Sequence, residues 1–349
     1  MSASGSVTDT ARFDDAVARA ADWIVARVDD DGTPAGAAER NAWWRIPWAL
    51  AVAGRRDAAA AVLAWAEEHA LDADGDLRGG PVELEPGATP VYSLSALAIG
   101  AWLLGRYDLA HRIAGALRRY QDPETGGVWQ LRDHGDLGEQ DLLKTAQLGI
   151  GAVLMNDREV ADRVHRFIVE QWALQPGGHV LYTARGSNGL ITEADDPADR
   201  FRRIVDFSAP KQAYFFPGIA AAFLADYVRL TGDPASLDVA RAYLQLNVEG
   251  TGRQYDDPTS VQICKFGWGV ANMLVADPDG GHRPHAERMA EWFLDRQLPD
   301  GAWEPSTFGR DAPGDLDKLW KTAEHLMELA MLTSALATDR ARTAAHRAA

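Results

Sequence analysis

The stretch Trp320-Lys321-Thr322-Ala323-Glu324-His325 is the clearest indication of the fold, because shorter versions of it recur along the chain. Its best echo is Leu143-Lys144-Thr145-Ala146-Gln147, and in both places a lysine follows an acidic loop and opens an apolar helix. Weaker copies occur around Lys211 and Lys265. Two further copies lack the lysine: one has Arg45 in its place, and the other keeps only the aromatic Tyr92. The six marker positions 45, 92, 144, 211, 265 and 321 are 47 to 67 residues apart. A period in that range indicates a repeat architecture.

A second set of markers, the glycines that end alternate helices, interleaves with the first. Apolar residues at helical spacing predict about twelve helices and no convincing strand. Short connections such as Gly105-Arg106 predict that the two helices of a pair are antiparallel neighbours. One pair cannot bury its own apolar faces, so the pairs must stack on one another. The marker glycines are Gly32, Gly75, Gly127, Gly178, Gly252 and Gly301.

Six stacked pairs can close into a ring. We therefore predict an all-α fold, an (α/α)6 toroid of about twelve antiparallel helices, with the first helix of each pair in an outer ring and the second in an inner ring. The toroid is expected to be a single domain over residues 8–337, with a flexible N-terminus at 1–7 and a flexible C-terminal tail at 338–349. An open solenoid is the structural alternative, but neither end of the chain shows the polar cap that a solenoid needs.

Composition restricts the location and the partners. The chain has 349 residues and a formal net charge of −16, so nucleic acid is not an expected partner, because phosphate backbones bind basic surfaces. The lone Cys264 excludes an internal disulfide framework. Residues 1–7 lack a signal peptide, and no apolar run reaches the roughly 20 residues of a membrane span. We expect a cytoplasmic protein with a small-molecule substrate, and the Ala-, Arg- and Asp-rich composition is compatible with a bacterial source. The oligomeric state is left open.

Two local motifs carry a resemblance to a known class. The segment 297–303 has the spacing of the Gln-x3-Gly-x-Trp repeat of squalene-type cyclases, and the segment 121–129 has it with two extra residues. Together with the six pairs, this resembles the six-hairpin toroid class, which includes glycosidase-like hydrolases, uronide hydrolases, polysaccharide lyases, sugar epimerases and, on a related toroid, squalene-type cyclases. The resemblance implies that the motif ties an outer helix end to the next turn. The cyclase acid motif Asp-x-Asp-Asp is absent, and the segment 193–196 is its nearest approach.

A closed ring would place the starts of all inner helices, with their partial positive charge, at one rim. The basic residues expected there either bind a carboxylate, uronate or phosphate group or pair with loop carboxylates such as Asp141, Asp206 and Asp317. Aromatic residues at the same rim either face sugar rings or carbocations or pack in the core. The basic candidates are Arg45, Lys144, Lys211, Lys265 and Lys321; the other substrate-binding candidates are Trp44, Tyr92, Trp129, Tyr214, Trp268, Trp303 and His325.

Acid–base candidates lie in the connections that lead to the inner helices. Asp206 is the first choice as a base, because it closes the longest connection and stands five residues before Lys211. His134 is the expected acid partner, and Glu304 is a third candidate; ordinary solvated loop residues are the alternative. No group of residues has metal-ligand spacing, so neither a metal nor a cofactor is expected. Cys264 is expected to fill a small apolar site, although a reactive thiolate at a helix start is the alternative.

Three functions are compatible with this pattern. The first is an enzyme that takes a small polar, anionic, sugar-like substrate into a central cavity and acts by general acid–base chemistry, through hydrolysis, elimination or epimerisation. The second is a cyclase or isomerase of an apolar, prenylated or secondary-metabolite substrate, which would need an aromatic-lined cavity with one protonated Asp. The third is a non-catalytic binding scaffold, which predicts that no two acids share a cavity.

Overall fold

The helices of the computed structural model alternate between an inner and an outer ring. The structure describes residues 10–39, 42–78, 87–135, 138–256, 263–305 and 313–348. In these ranges the helices are, in chain order, α1 (Ala11–Val25), α2 (Ile46–Val52), α3 (Arg56–His69), α4 (Val91–Leu103), α5 (Tyr107–Leu117), α6 (Leu142–Leu154), α7 (Arg158–Ala173), α8 (Pro197–Arg203), α9 (Phe216–Thr231), α10 (Ala235–Glu249), α11 (Arg253–Asp256), α12 (Cys264–Ala276), α13 (Arg283–Arg296) and α14 (Asp315–Ala348).

The inner ring consists of α2, α4, α6, α9, α12 and α14. Each packs against the next along the chain, and α14 packs against α2, which closes the ring. The outer helices α3, α5, α7, α10 and α13 each pack on the inner helix that precedes them, and α1 packs on α14. The first and last long helices therefore form the sixth pair, the predicted (α/α)6 toroid is confirmed, and the open solenoid is wrong. The predicted order within a pair is also wrong, because the helix before a short connection such as Gly105-Arg106 is the inner one and the helix after it is the outer one.

The two rings differ in how their helices are buried. On the inner helix α4, almost every residue from Val91 to Ala101 is buried, as expected for a helix that is surrounded by other helices. The outer helix α7 buries one stripe, in which Val160, Val164 and Phe167 recur at three- and four-residue spacing. One cluster of buried apolar side chains extends from Phe13 to Leu336. None of the helices in the described ranges is long and apolar enough to cross a membrane.

The 297–303 motif links the end of an outer helix to the next outer helix. Gln297 Nε2 donates to the carbonyl of Gly301 at 2.9 Å and, across the ring closure, to the carbonyl of Ala16 in α1 at 2.7 Å. Gly301 has φ of 96°, and a Cβ there would lie 2.6 Å from the carbonyl oxygen of Arg19. Both its backbone conformation and its close approach to α1 therefore require glycine.

The 121–129 segment makes the same link despite its two extra residues. Gln121 Nε2 donates to the carbonyl of Gly126 at 3.0 Å and to that of Val160 in α7 at 3.4 Å. Gly126 has φ of 82°, and a Cβ there would lie 2.0 Å from the carbonyl oxygen of Arg163. Both motifs thus hold the outer ring together, as the resemblance implies.

In the described ranges the connections before α6 and α9 contain six short strands, which the sequence did not predict. They escape sequence patterns because two or three residues are too few to show an alternating period. They form an antiparallel sheet in the order β1-β2-β4-β5, in which Val128 pairs with Asp141, and a separate β3-β6 pair. Their bounds are β1 (Val128–Trp129), β2 (Gln140–Asp141), β3 (Val180–Tyr182), β4 (Ala184–Gly186), β5 (Gly189–Leu190) and β6 (Ile204–Asp206).

Two helix bounds also differ from the prediction. Helix α9 begins at Phe216 and not at Lys211, whose φ of 54° is incompatible with a right-handed helix and whose side chain is exposed. Helix α14 continues to Ala348, through the segment predicted as a tail. Asp339 in this extension is buried and accepts hydrogen bonds from Arg283, at 3.2 Å, and from Arg342.

Candidate active site

The starts of the inner helices meet in a buried group of charged side chains at one end of the ring. Arg45 precedes α2, Tyr92 and Lys265 are the second residues of α4 and α12, and Lys321 lies in the second turn of α14. Two glutamates of α14 complete the group. We call it the ion cluster: Arg45, Tyr92, Lys265, Lys321, Glu324 and Glu328.

Glu324 is the centre of the ion cluster. Its Oε1 contacts Arg45 Nη2 at 2.8 Å and also accepts from Lys265 Nζ, while its Oε2 accepts from Lys321 Nζ at 2.7 Å. Arg45 Nη2 donates in addition to the hydroxyl of Tyr92 at 2.7 Å. Three of the predicted rim cations therefore converge on one carboxylate, which comes from the inner helix itself and not from a loop.

These contacts fix the charge of Glu324. Burial alone would raise the pKa of its carboxyl, but Arg45, Lys265 and Lys321 outweigh burial and hold this pKa well below 4.5. Burial likewise lowers the pKa of Lys265, but Glu324 and Tyr92 raise it well above 10.5. Both shifts favour an ionised Glu324 and a protonated Lys265 at neutral pH.

Glu328 lies one turn further along α14 and has a different environment. It is buried, its Oε1 lies 3.9 Å from Lys265 Nζ, and its Oε2 has no hydrogen-bond partner among the described residues. Burial raises its pKa to about 7; the negative Glu324 adds to this effect, and Lys265 opposes it. Two neighbouring carboxyls thus have widely separated pKa values, which is the arrangement that enzymes use to divide acid and base roles.

Aromatic rings surround the cations of the ion cluster. The guanidinium carbon of Arg45 lies 4.3 Å from the ring centroid of Trp44 and 5.2 Å from that of Trp320. Lys265 Nζ lies 5.3 Å from the ring centroid of Phe215, the residue that precedes α9. Arg45 Nη1 and the indole N–H groups of Trp44 and Trp320 are buried donors with no acceptor among the described residues. The cluster therefore has unused hydrogen-bond donors beside its positive charges.

His325 and Trp303, both predicted as substrate-binding residues, lie in a neighbouring aromatic stack. The His325 ring is sandwiched between Trp303 and Trp292, with ring centroids 5.7 and 5.9 Å away and nearly parallel planes. Neither ring nitrogen of His325 has a hydrogen-bond partner in the described part of the chain. Burial lowers the pKa of His325 to about 3, so this imidazole is neutral at physiological pH.

Cys264, Glu324 and Glu328 are the one group in the described ranges that has metal-ligand geometry. Their ligand atoms lie within 4.8 Å of one another and all three residues are buried. However, Glu324 already forms ion pairs with three cationic side chains, and burial raises the pKa of the Cys264 thiol well above its ordinary value. A metal ion would have to displace those cations, so the electrostatics of the site oppose metal binding. The buried, small apolar role predicted for Cys264 agrees with its 1% exposure.

Lys144 is the third residue of α6, and Trp129 lies in the connection before that helix. Lys144 Nζ donates to Thr89 Oγ1 at 3.2 Å and to the carbonyl of Gln130 at 2.8 Å. Asp141, named above as a possible partner of the lysine, caps α6 by accepting from the backbone N–H of Lys144 at 2.7 Å. The Lys144 ammonium thus joins two loops of the rim.

The three predicted acid–base residues occupy separate environments. His134 is exposed, and its ring stacks on Trp129 with centroids 4.2 Å apart. Glu304 is 3.6 Å from Lys318 Nζ. Asp206 accepts from the backbone N–H of Ser208 at 2.9 Å and from its hydroxyl; these bonds lower the pKa of Asp206. The structure shows no direct contact among the three, and it places none of them against Glu324.

Tyr214 and Trp268 complete the predicted set. Tyr214 is buried, and its hydroxyl donates to the carbonyl of Ala209. Trp268 lies one turn below Lys265 and packs edge-on against Trp48, with ring centroids 5.6 Å apart. Both indoles line the lumen, the space that the inner ring encloses, one helical turn beyond Arg45 and Lys265.

A cavity of about 480 Å³ fills the other end of the lumen. All six inner helices line it, mostly with apolar side chains from their C-terminal halves. The polar residues of its wall are Asp226, Arg229 and Asn272. Burial raises the pKa of Asp226 to about 6, against the lowering effect of Arg229. One residue from each inner helix illustrates the lining: Trp48, Ile99, Ile150, Asp226, Trp268 and Met331.

Glu324 and Glu328 are the site residues that the sequence reasoning missed. The signal was present, since the two acids stand three and seven residues after Lys321 within an otherwise apolar helix. That spacing places all three on one helical face. The acid–base candidates predicted from the sequence all lie in loops, where acidic residues are common, whereas Glu324 and Glu328 lie inside an inner helix.

Solved structures share this architecture. A D-mannose isomerase superposes with a TM-score of 0.67 at 12% sequence identity, covering 95% of this chain and 99% of that chain. The α-1,6-mannanase GH76A of Salegentibacter sp. HEL1_6 gives 0.63 at 12% identity, with 93% and 99% covered. A type II terpene cyclase from Scytonema gives 0.59 at 14% identity, with 94% and 99% covered.

Sequence comparison adds no family to this result. No protein-family model and no curated protein matches the chain. The structural neighbours are enzymes of three different kinds, and at 12 to 14% identity their likeness carries the fold and not the reaction. The chain therefore has the (α/α)6 toroid fold of these enzymes.

Proposed function

We propose that the protein is an enzyme that binds a small anionic, sugar-sized substrate beside the ion cluster and transfers a proton through Glu328. The observation that carries the proposal is the pair Glu324 and Glu328, two buried carboxyls on one helical face with opposite pKa displacements. An acid or base with a pKa near the working pH is the most effective proton-transfer group.

The charge count supports an anionic substrate. Three buried cations, Arg45, Lys265 and Lys321, face one ionised carboxylate, Glu324, and a second carboxyl that is protonated below a pH of about 7. The cluster therefore carries an excess positive charge at neutral pH, and buried charge is costly unless an opposite charge compensates it. A carboxylate or phosphate group on the substrate would supply that compensation, and the first turns of the inner helices favour it further.

The aromatic shell supports a sugar-like substrate. The unused N–H donors of Trp44 and Trp320 stand beside Arg45, and hydroxyl or anionic oxygens are natural acceptors for them. Among the structural neighbours, one mannanase variant is described in complex with α-1,6-mannotetrose, and another neighbour is a D-mannose isomerase. Hydrolysis, elimination and epimerisation all require a proton-transfer group of the Glu328 type, so the reaction class stays open among these three.

Asp206, His134 and Glu304 remain candidates in this proposal, ranked below Glu328. Each lies in a connection before an inner helix, from which it could reach a substrate that projects out of the lumen. The third function, a binding scaffold, predicts that no two acids share a site, and the proximity of Glu324 to Glu328 favours catalysis over it.

Cyclisation or isomerisation of an apolar substrate is the second candidate function. The observation that favours it is the cavity at the other end of the lumen, where Trp48 and Trp268 supply aromatic rings and Asp226 has a pKa of about 6. Near neutral pH only a minor fraction of Asp226 would be protonated, so the ion cluster remains the better candidate.

Ligand screening by thermal shift tests the leading proposal. We expect sugar phosphates or uronates to stabilise the wild type, and neutral sugars of equal size to have a smaller effect. Lys321→Gln should abolish this stabilisation. Lys318→Gln, the matched change one turn earlier in α14, should retain it, because Lys318 is 3.7 Å from Asp300 and 3.6 Å from Glu304 and lies outside the cluster.

Turnover then identifies the proton-transfer group. With a substrate found in the screen, Glu328→Gln should lower the rate roughly a hundred- to ten-thousand-fold and leave substrate binding intact. Asp206→Asn, His134→Gln and Glu304→Gln are compared in the same assay. Equal stabilisation by neutral and anionic sugars, or a Glu328→Gln rate within a few-fold of the wild type, would contradict the proposal.

A further inference from the structure

The cavity at the C-terminal end of the inner helices is separate from the ion cluster. Trp48 and Trp268, which pack edge-on with an interplanar angle of 71°, both line the cavity. Trp48 follows Arg45 by one turn and Trp268 follows Lys265 by one turn, and none of the six residues of the ion cluster is among the described residues that line the cavity. A ligand in the cavity therefore need not share the chemistry of a ligand at the cluster.

The mouth of the cavity exposes apolar side chains. Val52 at the end of α2 and Leu154 at the end of α6 are each 37% exposed, and both line the cavity. They stand where short turns lead from inner to outer helices, as at Gly54 and Asn156. Large apolar side chains that remain in water around a concave opening are typical of a ligand site. The cavity volume of about 480 Å³ also falls in the range of small-molecule sites.

One polar group interrupts the apolar wall. Asp226 Oδ2 accepts from Asn272 Nδ2 at 3.0 Å, and its Oδ1 accepts from Arg229 Nη1 at 3.2 Å. Each carboxylate oxygen can accept two hydrogen bonds, so Asp226 has capacity for a donor from within the cavity. Arg229 already balances the charge of Asp226, and its side chain extends to the exposed mouth. A neutral donor therefore fits this position better than a cation or an anion does.

We infer that this cavity binds a neutral, mainly apolar small molecule that carries one hydroxyl group. The hydroxyl donates to Asp226, and the apolar body packs against Trp48, Trp268 and the aliphatic side chains of the inner helices. The inference does not rest on the function proposed for the ion cluster, because it concerns the binding of a ligand and not a reaction, and because it involves a different part of the lumen.

The test uses 1-adamantanol and its methyl ether as matched probes, with binding measured by titration calorimetry at pH 8. The ether keeps the apolar cage but lacks the hydroxyl donor. We expect the wild type to bind the alcohol about tenfold more tightly than the ether, the effect of one hydrogen bond to a carboxylate.

Three tryptophan substitutions locate the binding site. Val52→Trp and Leu154→Trp fill the mouth from different helices and should each weaken binding of 1-adamantanol at least tenfold. Val248→Trp is the control, at a similarly exposed valine of the outer helix α10, and it should bind 1-adamantanol as the wild type does. Two mouth variants are used so that, if one of them misfolds, the other still tests the site. Absence of binding to the wild type, equal affinity for alcohol and ether, or wild-type affinity in both mouth variants would overturn the inference.

Discussion

Replacing Glu324 by glutamine should strongly destabilise the fold, and the same change at Glu328 should not. Glu324→Gln leaves Arg45, Lys265 and Lys321 buried together without the carboxylate that all three contact. Removal of one partner from a buried ion pair costs about 3–5 kcal/mol, because the remaining charge stays uncompensated. We therefore expect Glu324→Gln to lower the free energy of unfolding by about that amount.

Glu328→Gln is the matched variant, one turn away on the same helix. The native pKa of Glu328 is about 7, above the ordinary value of 4.5. Its contribution to stability is therefore complete below about pH 4.5 and is lost as the pH rises through about 7. The gap between the two values corresponds to about 3 kcal/mol. Above pH 7, glutamine at this position should raise the free energy of unfolding by up to that amount.

Urea denaturation at pH 5 and pH 8, followed by circular dichroism, measures both effects. From pH 5 to pH 8 the wild type should lose stability because Glu328 ionises. Glu328→Gln should not show this loss. Glu324→Gln should be the less stable variant at both pH values. If the two glutamines have equal effects at pH 8, the two carboxylates do not differ in how far neighbouring cations compensate their charge, and the reasoning on the ion cluster is refuted.

Two further comparisons test the packing of the fold. Gly126→Ala should lower the free energy of unfolding by at least about 2 kcal/mol, because the new Cβ would lie 2.0 Å from the Arg163 carbonyl oxygen. Gly105→Ala is the control: Gly105 has the same φ of 82° but no atom within 4 Å, so this change should cost only the left-handed strain of about 1–2 kcal/mol. Equal losses of stability in urea denaturation would contradict the close approach at Gly126. His325→Phe should leave the free energy of unfolding at pH 7 unchanged or raise it by about 1–3 kcal/mol, because it removes two buried ring nitrogens that have no partner in the described structure. A loss above about 2 kcal/mol would show that the imidazole makes a stabilising hydrogen bond.

The architecture could be predicted from the sequence because each repeat leaves its own mark. The basic residue at the start of an inner helix and the glycine at the end of an outer helix recur independently, and a ring places equivalent positions at one height. For this reason the spacing predicts Arg45, Lys265 and Lys321, which are far apart in the chain, at one rim, and the structure brings them to a single carboxylate.

The details of the site depended on information that spacing does not contain. Lys211 occupies the marker position of its repeat, but the backbone turns there with a positive φ, and Phe215 reaches the cluster in its place. The sequence pattern predicts loop carboxylates as partners of the rim cations. In the structure the partner is Glu324, which lies within α14. The pKa values of Glu324 and Glu328 differ because of burial and because of the few ångströms that separate each carboxyl from the neighbouring charges. Neither burial nor these distances can be read from the order of residues.

The state of the two glutamates is the claim on which this account depends most directly. Carbon-13 NMR of protein labelled at the glutamate side-chain carboxyl carbon, with Glu324→Gln and Glu328→Gln used for assignment, follows each group through a pH titration. We predict that the Glu328 signal titrates at about pH 7, and that the Glu324 signal stays that of an ionised carboxylate until the protein unfolds in acid. Titration of both signals near pH 4.5 would contradict the account.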